Sequence, residues 1–218
     1  MMRKILDRLR AEDNLRTLPE VRTQGKYLFH EGKRYLNLSS NDYLGITGEP
    51  WQREFMEQAL QSGEFLLSNP SSRLITGNSP DYRRLEQALS ELYNGREALV
   101  LGAGYLVNSG VLPALTTNRD LILADKLVHA SLIDGLRLSE AAMQRFAHND
   151  TEHLERLLRK LRSLYDNVWI ITESVFSMDG DKAPLRELAA LKQQYDCKLY
   201  VDEAHAFGVC GPGGRGVA

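Results

Sequence analysis

An acid and a histidine follow the predicted strand Lys198 to Val201. The acid is Asp202, and His205 comes three residues after it. At the mouth of a sheet both side chains lose hydration, and this loss costs free energy unless another group pairs with them. A purely structural arrangement would therefore be costly. A bound ring with a protonated nitrogen would pair with the acid, and a phenolic oxygen on that ring would pair with the histidine.

The same residues spell DEAH, which also resembles the magnesium-binding signature of nucleic-acid helicases. Helicases require an upstream phosphate loop of the form GxxxxGK[ST]. The two Gly-Lys pairs of this sequence, Gly25-Lys26 and Gly32-Lys33, are followed by Tyr27 and Arg34 instead of Ser or Thr, and both lack the preceding glycine. The helicase interpretation therefore fails.

A phosphate site is predicted at Gly104 and Tyr105, where a helix is expected to begin after a short strand, Glu97 to Leu101. Free backbone N–H groups and the positive end of the helix could hold a phosphate there. A tight turn without a ligand is the structural alternative. A dinucleotide fingerprint starting at Gly102 is a second alternative. Its third glycine, which lets the helix pack closely on the strand, would be Val107, and the side chain of valine is too bulky for such packing.

Three further candidates lie at or after the ends of two predicted strands. His129 could stack on an aromatic cofactor or move protons, although a helix cap or a solvated surface group is the simpler interpretation. Glu173 and Ser177 would face the same cleft, and a polar turn is the simpler interpretation of their segment, which contains Asp179-Gly180.

The elements that must position these residues alternate along the chain. Strands are predicted near residues 97–101, 120–124, 144–147, 168–172 and 198–201, with helical segments between them. This alternation is typical of a parallel sheet with helical crossovers, in which ligands gather at the carboxyl ends of the strands. An amphipathic helix and a hairpin are predicted before the sheet, and the loop region 45–78 is the candidate boundary.

Composition excludes several classes of function. The formal net charge of −2 leaves no basic stripe for nucleic acid. The charged N-terminus and the lack of a long apolar run predict a cytoplasmic protein without a signal peptide or a membrane span. The two cysteines, too few for a disulfide framework or a zinc ribbon, are expected to be free thiols, and no metal site is predicted.

Seven motifs occur in order along the chain: NDYLG at 41–45, SSRLITG at 71–77, GYLVN at 104–108, HAS at 129–131, FAHND at 146–150, ESVFSMDGD at 173–181 and VDEAH at 201–205. Together they resemble the α-oxoamine synthases, which are fold-type-I enzymes dependent on pyridoxal 5′-phosphate. The resemblance runs from about Arg16 to the last residue, and the order of the motifs makes it specific.

The resemblance implies an α/β fold with three layers around a mostly parallel sheet. It implies an N-terminal helix and hairpin segment over residues 1–45 and a partial cofactor-binding large domain, incomplete in this chain, over residues 46–218. It also implies a homodimer with sites at the interface.

The resemblance also implies roles for single residues. Gly104 and Tyr105 would lie at the cofactor phosphate, and His129 would stack on the pyridine ring. Asp202 would pair with the ring nitrogen and keep it protonated. His205 and Ser177 would contact the side of the phenolic oxygen. Arg16, Asn41 and His129 would approach the substrate, and His129, Asp202 and His205 would be the catalytic residues.

The reaction implied is the decarboxylative condensation of an amino acid, expected to be L-alanine, with an acyl thioester, pimeloyl on coenzyme A or on an acyl carrier protein. Acyl transfer to glycine, as in the related aminoketobutyrate, aminolevulinate and ketosphinganine enzymes, is the alternative, and a non-catalytic fragment is another. The Schiff-base lysine of the family lies beyond the glycine-rich stretch 211–216. We therefore expect residues 1–218 alone to be inactive.

Overall fold

The computed structural model describes residues 2–63 and 68–218, and each of these two ranges belongs to its own compact unit. The first unit contains two helices and a three-stranded antiparallel sheet in the order β1-β2-β3. Its elements are α1 (Met2–Ala11), β1 (Arg22–Gln24), β2 (Tyr27–His30), β3 (Lys33–Leu36) and α2 (Pro50–Gln61). The predicted N-terminal helix and hairpin are confirmed.

The turn of the hairpin explains why β2 pairs with β3. Glu31 and Gly32 both have positive φ, 47° and 73°. Two such residues in succession are typical of a type I′ turn, whose twist matches that of the paired strands. The structure adds β1, which pairs with β2 on its other side and has too few alternating apolar residues to be seen in the sequence.

The second unit is an α/β fold with a four-stranded parallel sheet in the order β5-β4-β6-β7. Its helices are α3 (Pro80–Leu92), α4 (Gly104–Leu115), α5 (Ala130–Leu138), α6 (Thr151–Leu161) and α7 (Leu185–Gln194). Its strands are β4 (Leu121–Asp125), β5 (Ala142–Phe146), β6 (Val168–Glu173) and β7 (Lys198–Asp202). The predicted fold class is confirmed.

Alternating residues of β4 place helices on both faces of this sheet. Leu121 and Leu123 belong to a core cluster with residues of α6 and α7, such as Leu158 and Leu188. Ile122 and its neighbour on the same face belong to a second cluster with residues of α4 and α5. Successive side chains of a strand point to opposite faces, so the buried residues of β4 pack against helices on both faces of the sheet. The sheet lies between two layers of helices, which gives three layers in all.

The predicted strand at 97–101 is wrong, because the structure has no strand at these residues. The backbone of Val100 is instead bonded to two side chains. Its N–H donates to Glu86 Oε1 at 2.8 Å, and its carbonyl accepts from Arg73 Nη1 at 2.6 Å. Arg73 and Glu86 also form an ion pair, so side chains take the place that a neighbouring strand would fill.

Among the described residues, no helix is long and apolar enough to cross a membrane. Part of the predicted boundary loop, residues 64–67, lies outside the described residues. The division into residues 1–45 and 46–218 stays a prediction.

Candidate functional site

A cavity of about 410 Å³ opens at the carboxyl ends of the parallel strands in the second unit. This volume is in the range of small-molecule sites, roughly 300–1,000 Å³. Four segments supply its walls: the start of α4, the start of α5, the end of β6 and the end of β7 with the turn after it. Six of the candidate residues named from the sequence line it: Gly104, Tyr105, His129, Glu173, Asp202 and His205.

The first turn of α4 borders the cavity through Gly104 and Tyr105. The helix begins at Gly104, as predicted, and the first N–H groups of an α-helix have no partner within the helix. The hydroxyl of Tyr105 donates to the carboxylate of Asp134 on α5. This bond raises the pKa of Tyr105, so the phenol stays protonated and its ring is tied to α5.

His129 is the N-cap of α5, and its ring is held by the residue two positions later. Its Nδ1 accepts from the backbone N–H of Ser131 at 3.2 Å and lies 2.7 Å from Ser131 Oγ. Its own backbone N–H donates to Glu173 Oε1 at 2.5 Å. The histidine is therefore both the helix cap and a cavity residue, two interpretations that the sequence alone left as alternatives.

Asp202 ends β7 with both carboxylate oxygens bonded. Oδ1 accepts from the N–H of Ala204 at 2.9 Å, and Oδ2 accepts from Asn108 Nδ2 at 2.7 Å. A carboxylate oxygen has two acceptor positions, so each can accept one more bond from a molecule in the cavity. The turn that begins at Ala204 brings His205 to the same cavity.

Glu173 ends β6 beside Asp202, with which it is paired in the sheet register, and it lines the cavity although its side chain is buried. Burial raises the pKa of its carboxyl to about 7, the bond from His129 opposes this rise, and the charges of Asp202 and Asp125 add to it. The cavity thus contains a carboxyl group that titrates near neutral pH.

We expect Glu173→Gln to stabilise the fold at pH 8 and to leave it nearly unchanged at pH 4.5. Between about pH 4.5 and 7 the unfolded chain releases a proton that the folded chain retains at Glu173, so wild-type stability falls as pH rises through this window. Glutamine cannot ionise and avoids that loss, which is at most about 3 kcal/mol for a shift of this size.

Urea unfolding of both proteins at the two pH values measures this difference. Glu140→Gln, at an exposed position before β5, is the matched control. Equal stability of Glu173→Gln and wild type at pH 8 would contradict the pKa assigned to Glu173.

Three further residues of the cavity wall, which the sequence did not single out, are hydrogen-bonded to one another or to Asp202: Asn108, Ser131 and Tyr200. Asn108 Nδ2 donates to Asp202 Oδ2 and, at 2.9 Å, to Ser131 Oγ. The Tyr200 hydroxyl donates to Asn108 Oδ1 at 2.7 Å. The only sequence signal for Asn108 and Ser131 was their place in the GYLVN and HAS motifs.

Ser177 is exposed in the turn after β6 and is not among the residues that line the cavity. Its contact with a cofactor stays a prediction. Arg16 and Asn41 belong to the first compact unit, where both are exposed in segments without regular structure. Their approach to a substrate also stays a prediction.

The FAHND motif has a structural explanation in this fold. His148 lies 2.9 Å from Asp125 Oδ1 and 2.8 Å from Asp181 Oδ2, and Asn149 Nδ2 also donates to Asp181. Burial lowers the pKa of His148, but its bonds to the two carboxylates outweigh burial and raise it. The pair His148 and Asn149 therefore anchors the loop after β6, which carries Ser177, to the end of β4.

The model of the family described as aminotransferase class I and II matches residues 33–216. Among curated proteins, the chain is 49% identical over 216 residues to "Putative 8-amino-7-oxononanoate synthase" of Neisseria meningitidis, covering 98% of this chain and 56% of the relative. A protein of the same name from Haemophilus influenzae is also 49% identical over the same shares. The chain thus spans little more than half the length of these relatives.

Two solved structures that resemble the chain are also matched over about half of their own length. Serine palmitoyltransferase of S. paucimobilis, with a bound PLP–myriocin aldimine, matches with a TM-score of 0.85 and 30% identity, over 99% of this chain and 54% of that one. The 8-amino-7-oxononanoate synthase of Francisella tularensis matches with a TM-score of 0.63 and 30% identity, over 82% of this chain and 48% of that one.

Proposed function

Since this chain belongs to the aminotransferase class I and II family, we propose that it forms the N-terminal part of a pyridoxal-phosphate-dependent α-oxoamine synthase. The reaction proposed is the decarboxylative condensation of L-alanine with a pimeloyl thioester, on coenzyme A or an acyl carrier protein, to give 8-amino-7-oxononanoate for biotin synthesis. The observation that supports it best is the convergence of Asp202, His129, His205 and the start of α4 on one cavity.

The chemistry of the cavity walls fits pyridoxal phosphate. The N-terminal turn of α4 at Gly104 offers backbone donors to an anion. Asp202, already fixed by two donors, retains acceptor capacity for the N–H of a pyridinium ring. His129 and Tyr105 add flat rings to the same walls, as an aromatic ligand would require.

When bound, pyridoxal phosphate supplies an electron sink for charge that develops at the α-carbon of an amino acid. The role of Asp202 is to keep the ring nitrogen protonated, which makes that sink effective. His129 would lie against the ring near the substrate, and His205 would contact the side of the phenolic oxygen. Gly104 and Tyr105 would orient the phosphate end.

The remaining parts of the proposal rest on the family resemblance. The whole enzyme is proposed to be a cytoplasmic homodimer with Arg16 and Asn41 near the substrate. The Schiff-base lysine belongs to a later segment of the family, so residues 1–218 alone are proposed not to turn over substrate. Acyl transfer to glycine by a sister enzyme is the second candidate, and a comparison of alanine with glycine as substrate separates the two.

Titration of the chain with pyridoxal phosphate tests the cofactor assignment. We expect saturable binding, weaker binding of pyridoxal, which lacks the phosphate that α4 would hold, and no binding of NAD. Borohydride reduction followed by peptide mapping should show only scattered lysine labelling, because no lysine lines the cavity in the part of the chain that the structure describes. Saturable binding of NAD without binding of pyridoxal phosphate would contradict the proposal.

A further inference from the structure

Asn108 is buried at the junction of three elements that meet at the cavity. Its amide oxygen accepts from the Tyr200 hydroxyl of β7, and its amide nitrogen donates to Asp202 at the end of the same strand. The same nitrogen donates to Ser131 Oγ in the first turn of α5. One side chain of α4 is therefore bonded to two of the other three walls of the cavity.

The orientation of the Asn108 amide follows from the chemistry of its neighbours. Burial and the charge of Asp202 raise the pKa of Tyr200 to about 12, so its hydroxyl keeps its proton at neutral pH. That proton points to Asn108 Oδ1. The amide nitrogen is then directed to Asp202, whose carboxylate can only accept.

The same orientation supports one tautomer of His129. Ser131 Oγ accepts from Asn108, so its own hydrogen is available to His129 Nδ1 at 2.7 Å. The backbone N–H of Ser131 points to the same nitrogen at 3.2 Å. Two donors converge on Nδ1, so this nitrogen must be unprotonated and the ring hydrogen lies on Nε2.

We propose that Asn108 is the positioning residue of this site, which directs the carboxylate of Asp202 to the cavity and, through Ser131, fixes His129 as the Nε2-protonated tautomer. The inference rests on the proposed function only for the identity of the ring that Asp202 and His129 face. Asn108 thus connects Asp202, which would meet the edge of a bound ring, to His129, which would cover its face. Loss of the Asn108 amide should therefore disturb both Asp202 and His129.

The first test uses the ligand-free chain. Long-range ¹H–¹⁵N spectra of the histidine rings should show the Nε2-protonated form of His129 in the wild type. Asn108→Ala and Ser131→Ala should give a mixture of tautomers. Asn118→Ala, in the exposed turn before β4, is the matched control and should keep the wild-type pattern.

The second test is the affinity for pyridoxal phosphate. Asn108→Ala should raise Kd roughly 10-fold, the effect of leaving a buried polar partner unsatisfied. Ser131→Ala removes only the branch to His129 and should raise Kd roughly threefold. Asn118→Ala should leave it unchanged.

Asn108→Asp separates positioning from a merely structural role. The introduced carboxyl has nearly the shape of the amide but can donate to Asp202 only while it is protonated. Its affinity for pyridoxal phosphate should therefore approach that of the wild type at low pH and fall progressively below it as pH rises. A variant that only loosened the fold would not recover affinity in this way.

The outcomes are separable. Wild-type tautomer and affinity in both Asn108→Ala and Asn108→Asp would overturn the inference. If Asn108→Ala does not fold, Asn108→Asp and Ser131→Ala decide it. If even the wild type does not bind pyridoxal phosphate, the proposed function fails, and the tautomer comparison still tests the role of Asn108.

Discussion

Asp202→Asn is expected to lower turnover by about 10²- to 10³-fold, the loss typical of removing one preorganised electrostatic partner of developing charge. A neutral amide cannot keep a ring nitrogen protonated, so the ring would lose its capacity as electron sink. The start of α4, which is proposed to hold the phosphate, is unchanged. Retention of pyridoxal phosphate should therefore fall much less than turnover.

The substitution also removes one of two acceptors that the structure uses. Ala204 donates to Oδ1 of Asp202 and Asn108 donates to Oδ2, whereas an asparagine has a single amide oxygen. One donor loses its partner, at a cost of about 1–3 kcal/mol to the free energy of unfolding. Denaturant unfolding beside the kinetic assay separates this local loss from the electronic effect.

The kinetic assay requires the form of the enzyme that carries the Schiff-base lysine of the family. Asp202→Glu serves as the matched control, because it keeps the charge and changes only the reach of the side chain. Near wild-type turnover in Asp202→Asn, together with free dissociation of the cofactor, would show that Asp202 does not have the proposed role.

Gly135→Ala is expected to destabilise the fold by about 2 kcal/mol, although alanine is the better helix former by about 1 kcal/mol. Gly135 lies in α5, where a Cβ would stand 2.2 Å from the carbonyl oxygen of Asn108 and 3.2 Å from Leu112 Cδ1. No Cβ is tolerated so close to a backbone oxygen, so the two helices would have to separate. Overpacking of this kind costs about 1–3 kcal/mol, and more when backbone must move.

Gly110→Ala provides the matched control in α4. A Cβ at this exposed glycine would meet no atom within 4 Å in the described part of the chain, so only helix propensity should act. The control should stabilise the fold by about 0.4–1 kcal/mol. Urea unfolding of both variants should show a lower free energy of unfolding for Gly135→Ala and a higher one for Gly110→Ala. A Gly135→Ala protein as stable as wild type would show that α4 and α5 do not pack as closely as in this structure.

Periodicity and turn residues in the sequence were sufficient to predict most elements of the second unit. The four strands of its sheet were expected within about two residues of their bounds, because buried parallel strands are short apolar runs between helical segments. The failure at 97–101 has a specific cause. The Val100 backbone is bonded to the Arg73 and Glu86 side chains, and no local pattern encodes partners so far away in the chain.

The sequence alone also determined which chemical groups would meet at the cavity. Gly104, His129, Asp202 and His205 each follow a strand or begin a helix, and the carboxyl ends of parallel strands share one edge of the sheet. Their convergence therefore follows from topology, once a parallel sheet is recognised. The comparisons with known proteins then identified the family.

Only the tertiary structure decided how those groups are held and charged. The pKa of Glu173 depends on its burial beside Asp202, and the tautomer of His129 depends on a bond from Asn108 through Ser131. Asn108 and Asp202 are 94 positions apart in the chain, yet their side chains are 2.7 Å apart in the fold. The hydration and the hydrogen-bond partners of a buried side chain depend on residues that only folding brings together. A local sequence pattern therefore does not show them.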